Sequence, residues 1–177
     1  MKKTILGIFP KHEDADRALF HLKDEGFKAS EVSVIAREDT MKKYRAEEAD
    51  NAGTGVLTGG VLGGLAGLLI AATPVIVPGL GLLVAGPLTL LASFATGALA
   101  GGLIGALIDM GVSEDTAKSY ENKIKKGEVL LAVNASDKDE SKVQRILKDH
   151  NAEELTILPS DQRRNTAREA SNVAFQR

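Results

Sequence analysis

His12, His21 and His150 are the side chains of this sequence best suited to move a proton near neutral pH or to hold a transition metal, and Glu13, Asp14 and Asp16 form an acidic run beside the first of them. Their spacing argues against both chemistries. No two histidines stand four residues apart, and the acids crowd a point where a helix N-terminus favours negative charge without any ion. The three histidines are read as solvated surface residues. Gly53, Gly55 and Gly59 spell G-x-G-x-x-x-G, near a dinucleotide fingerprint, but the preceding Arg45 to Asp50 is charged rather than a buried strand, and the glycines continue well past the motif. There is no Gly-Lys-Ser or Gly-Lys-Thr and no cysteine, so phosphate-cradling loops, thiolate metal sites and disulfides are excluded. The reading is a chain that is not an enzyme, with no catalytic residue, no cofactor, no metal and no identifiable small-molecule substrate.

The dominant feature is one of packing. Between Asp50 and Asp109 there is no Asp, Glu, Lys, Arg or His, and every glycine except Gly7, Gly26, Gly111 and Gly127 lies in that block. Glycine recurs every fourth residue as Gly55, Gly59, Gly63 and Gly67, and again as Gly97, Gly101 and Gly105, a series that Ser93 extends. This spacing sets a stripe without side chains along each of two helices. Leu57, Val61, Leu62, Leu65, Leu68 and Leu69 fall on the opposite side of the first. In water each glycine costs a helix up to about 1 kcal/mol relative to alanine, so the stripes demand a close helix contact in return.

Pro74, Pro78 and Gly79 place a hairpin turn within Thr73 to Gly79, because two prolines cannot both sit inside one straight helix. The turn leaves two helices, Ala52 to Ala72 and Leu88 to Ile108, each long enough at about 1.5 Å per residue to span roughly 30 Å, the thickness of a bilayer's hydrocarbon core. The expectation is an apolar glycine-zipper helical hairpin over residues 52–108, with Gly55, Gly59, Gly63, Gly67, Ser93, Gly97, Gly101 and Gly105 at the helix-packing and oligomer interface.

Around the block, the ends repeat each other. Thr4 to Phe9 reads as a buried strand, about Glu13 to Glu25 as a helix with Ala15, Ala18, Leu19 and Leu22 inward and Gly26 as its C-terminal cap, and Val32, Val34 and Ile35 as a second strand. Glu128 to Asn134, Asp137 to Asp149 and Leu155 to Leu158 repeat that order, with Ser136 or Asp137 as the cap. Two βαβ halves predict an α+β fold, a ferredoxin-like split βαβ domain with the hairpin inserted between its second and third strands. The organisation is a first half over 1–36, a charged stalk over 37–51, the hairpin over 52–108, a second stalk helix over 109–127, the second half over 128–158, and a polar C-terminal tail over 159–177. Tyr44 and Tyr120 sit in the stalks as core residues.

The net charge of −2 and the interspersed signs of Lys42, Lys43, Arg45, Lys123, Lys125 and Lys126 give no basic face for nucleic acid. Lys2 and Lys3 precede too short an apolar run for a signal peptide.

Three stretches carry a resemblance. Thr4 to Phe27 supplies a strand and an acid-led helix; Gly53 to Gly67, Pro74 to Gly81 and Gly97 to Gly105 supply the zipper and its proline turn; and Met110 to Val133 carries Gly111, Val112, Ala117, Tyr120, Glu121 and Gly127. Up to about Leu158 the chain resembles the bacterial general stress protein family, with its heat-induced and low-temperature-induced members. The resemblance implies a stress-response setting and membrane association, without an established activity. Two readings follow. In the first, the protein self-associates and its hairpin enters the lipid of the cytoplasmic membrane while the ferredoxin-like domain stays in the cytoplasm. In the second, it is a soluble, cytoplasmic homo-oligomer that buries its hairpins in a shared core, with room for a lipid or other apolar ligand.

Overall fold

A computed structural model describes residues 2–43, 75–77, 81–86 and 102–159. In chain order its elements are β1 (Lys2–Phe9), α1 (His12–Asp24), a 3-10 turn (Ala29–Glu31), β2 (Val32–Arg37), β3 (Val75–Val77), β4 (Leu82–Ala85), α2 (Gly102–Asp109), α3 (Glu114–Lys125), β5 (Val129–Ser136), α4 (Glu140–Asp149) and β6 (Glu153–Pro159). The fold is α+β. One six-stranded sheet runs in the order β3-β4-β2-β5-β1-β6, and every pair of neighbours is antiparallel.

The inner strands are continuous apolar runs because both faces of the sheet are covered. Alternate residues divide between two cores. Ile5, Phe9, Val34, Leu131 and Val133 meet Ala15, Ala18, Leu19 and Leu22 of α1 and Val143, Ile146 and Leu147 of α4. Leu6, Ile8, Ile35, Leu130 and Ala132 meet Leu103 and Leu107 of α2 and Ala117, Tyr120 and Ile124 of α3. The molecule thus has three layers, and the second helical layer includes α3, from the segment expected as a stalk helix over 109–127. α3 lies on the sheet with Tyr120 and Ile124 wholly buried, and Ser113 caps it by accepting from the Thr116 amide at 3.3 Å. The first expected stalk also begins against the core: residues 38–43 are helical, and Met41 is buried.

The repeated ends fold nearly where their periodicity places them. α1 closes with Gly26 in the left-handed region, its amide donating to Lys23 and the next amide, of Phe27, to Leu22. α4 begins later than Ser136 or Asp137, because Ser136 instead closes a turn, accepting from the Asp139 amide at 3.0 Å and donating its hydroxyl to the Asp139 carboxylate at 2.6 Å.

The middle of the apolar block is corrected most. Where a helix-to-helix turn was expected, β3 and β4 form a β-hairpin, with Val75 opposite Val84 and Val77 opposite Leu82. β4 also pairs with β2, Val34 facing Ala85 and Arg37 facing Leu82. Among the described residues no helix is long and apolar enough to cross a membrane. This corrects the expected transmembrane helices as far as they are described; residues 52–72 and 88–101 lie outside the described residues. Of the expected helix Leu88 to Ile108, the described end is α2, eight residues long, and its Leu103 and Leu107 are spent on the sheet rather than on lipid.

Candidate functional site

α2 presents two unlike faces. Leu103 and Leu107 point into the second core, each 1% exposed, with Ala106 buried beside them, and burying such a leucine contributes about 1.5–3 kcal/mol. Gly105 lies on the other side of the helix, where no atom of the described residues comes within 4 Å of the place a Cβ would occupy. Ile108, three residues on and so on the same side, is 41% exposed. The leucine side is satisfied within the chain, and the glycine side faces outward with an unburied isoleucine beside it. Of the residues expected at the helix-packing interface, Gly105 is the one described; Gly55, Gly59, Gly63, Gly67, Ser93, Gly97 and Gly101 lie outside the described residues, as do Pro74, Pro78 and Gly79 of the expected turn.

Two polar clusters occupy opposite layers. Beneath α3, the buried Tyr120 hydroxyl donates to the backbone carbonyl of Glu154 and stands 2.7 Å from Thr156 Oγ1 on β6. Ser119 donates to the Glu154 carboxylate at 2.9 Å, and Lys123 bridges Glu153 and Glu154 at 2.8 and 3.0 Å. These contacts hold Glu154 in the left-handed region, φ 48°, at a bulge where the pairing of β1 with β6 shifts between Leu6 and Ile8. Burial draws the Lys123 ammonium down, but its hydrogen bonds to Glu153 and Glu154 outweigh that and hold its pKa up at about 12. Burial raises the Tyr120 phenol. Every polar group here is answered by another protein group, so the cluster is a clamp on an edge strand.

On the other face, α1 and α4 bring together two residues that are distant in sequence. His21 Nδ1 stands 3.3 Å from His150 Nε2, the rings nearly perpendicular with centroids 5.5 Å apart. The positioning is local. Asn151 adopts a left-handed conformation that ends α4, which sets His150 at the helix terminus and turns the Asn151 amide onto Asp14 of α1 at 3.2 Å. Asp14, 8% exposed, also accepts from Arg17 at 3.3 Å. Burial and then the neighbouring His21 push the His150 imidazole below its usual value. Sequence spacing placed the histidines apart; the antiparallel docking of the two repeated halves was the missing signal. His12 stays separate, 3.6 Å from Glu13.

An open cleft of about 370 Å³ lies between Arg37, Glu38, Asp39, Lys42, Gly81, Leu82 and Lys125. Within it Arg37 pairs with Asp39 and Lys42 with Glu38, while Lys125 pairs with Glu121 of α3.

A family model described as a protein of unknown function matches residues 56–170. That description names no activity and lends no support to the expected stress response. No curated protein and no solved structure matches the chain.

Proposed function

The chain belongs to the DUF1269 family, described as a protein of unknown function, and from that premise we propose that it is a non-enzymatic module that assembles with copies of itself through its glycine-striped helical face. The observation that carries this reading is the outward aspect of Gly105 and Ile108 on a helix whose leucines are already buried. A bare backbone stripe contributes little when facing water. Against a second stripe it permits the close approach at which dispersion and weak Cα hydrogen bonds operate. Gly101 and Gly97 continue the spacing of Gly105 upstream, and Gly55, Gly59, Gly63 and Gly67 offer a matching series.

We read the scaffold of this module as a ferredoxin-like split βαβ domain widened by one hairpin. The order β6-β1-β5-β2, with α1 and α4 against one face, supports that reading, and β4 and β3 extend it beyond β2.

Light scattering on the full chain in detergent-free buffer tests the proposal. A defined oligomer is expected, and it loses mass when Gly105 or Gly101 becomes leucine. The space around Gly105 makes Gly105→Leu a useful variant, since a Cβ there meets no atom of the described residues within 4 Å and the helix itself gains up to about 1 kcal/mol of propensity. A monomeric wild type, or an oligomer indifferent to both substitutions, overturns the reading.

A further inference from the structure

The paired histidines are not used by the assembly face, and they lie in the opposite helical layer. We propose that His21 and His150 form a two-imidazole site for a divalent transition metal, Zn(II) in the first instance, which would cross-link α1 to α4 and so the two repeated halves. Two nitrogens each about 2.0–2.1 Å from a tetrahedral zinc are separated by about 3.3–3.4 Å. The separation of His21 Nδ1 from His150 Nε2 is 3.3 Å.

Three further features suit the site to a cation. His21 is exposed and His150 half-buried, so an ion reaches them directly and the His21 ring can turn to converge its lone pair with that of its partner. His150 sits at the end of α4, where the Asn151 side chain donates to Asp14 and ties that helix end to α1, so one of the two ligands is held in place. Asp14 and Asp149 set negative charge around His150, with Arg17 as the opposing charge. Among the described residues no group of three or more His, Cys, Asp or Glu converges on one point, so water completes the coordination and binding stays exchangeable.

The test uses the untagged full chain and Zn(II) alone, followed by titration calorimetry and thermal unfolding. One ion per chain is expected, with an unfolding midpoint that rises by several degrees at saturating Zn(II), because an ion bound only by the folded state stabilises it by mass action. His21→Ala and His150→Ala should each weaken binding at least tenfold and abolish the rise, while His12→Ala retains both. Metal-free melting of each variant establishes that it is folded before zinc is added. Absence of binding by the wild type, or zinc stabilisation surviving in the His21→Ala/His150→Ala double variant, overturns the site. Neither result bears on oligomeric mass, which reports separately on the glycine face.

Discussion

Tyr120 on α3 and Glu154 on β6 are joined by a hydrogen bond from the phenol to the backbone carbonyl, made from a side chain that is wholly buried. Thr156 supplies the complement: its hydroxyl donates to the phenol oxygen while the phenol's own proton is committed to Glu154. Tyr120→Phe keeps the ring's packing but leaves both partners without their bond. The expected cost is about 1–3 kcal/mol, seen as a lower urea midpoint with unchanged slope.

The same clamp sets an alkaline limit. Lys123 has its pKa raised in the fold, so its stabilisation is complete below the ordinary lysine value and is lost as pH rises toward about 12. The Tyr120 phenol, also raised, acts in the same direction, since the unfolded chain ionises it first. Unfolding midpoints measured from pH 9 upward should fall, and the fall should be shallower in Lys123→Gln.

On the acid side His150 governs. Its pKa is lowered in the fold, so the stability associated with the neutral ring is present above the ordinary histidine value and is lost as pH falls below it. Replacing His21 by alanine removes the neighbour that, after burial, holds the His150 imidazole below its usual value. The variant should lose less stability than wild type between neutral pH and about pH 5, as read by thermal melting in the absence of metal.

Gly86 and Gly81 bracket β4 and should respond differently to alanine. At Gly86, φ +95°, a Cβ would lie 2.2 Å from the backbone oxygen of Val32, so β4 must pull away from β2; at Gly81, φ +60°, it would meet nothing. Gly81→Ala is expected to cost about 1 kcal/mol for the left-handed conformation alone, and Gly86→Ala upward of about 2 kcal/mol. Denaturant midpoints of the two variants make the comparison.

Leu107 and Ile108 are adjacent in α2 and should separate folding from assembly. Leu107→Ala opens a cavity in the second core and should cost about 2–5 kcal/mol. Ile108→Ala, at an exposed position, should leave the melting of isolated subunits within about 0.5 kcal/mol while reducing oligomer mass.

The ends of the chain were legible because their elements have one period each. Ala15, Ala18, Leu19 and Leu22 repeat as a helix, and Gly26 stops it where its position in the sequence suggests. The block was misread because β3 and β4 have no period at all. Val75–Val77 is three apolar residues between two prolines, and Leu82–Ala85 is buried on both faces, so neither alternates. Within an apolar, glycine-rich surrounding, such short runs look like pieces of a broken helix. The duplicated halves were visible, yet the meeting of His21 with His150 depended on the hand and tilt with which α1 docks on α4. Tyr120 was placed in the core by its type, whereas its two partners come from a bulge in β6 that no spacing rule announces.

β5 lies between β1 and β2, bonded to both. During synthesis, the first forty residues therefore emerge as two strands with a gap between them, and nothing made in the next eighty or so can fill it. Synthesis must reach Ser136, and that segment must leave the exit tunnel, before β1 and β2 gain the strand that joins them, so their facing edges stay open while all the intervening residues are made. Slow decoding ahead of that point would lengthen the interval in which chaperones must hold the nascent polypeptide.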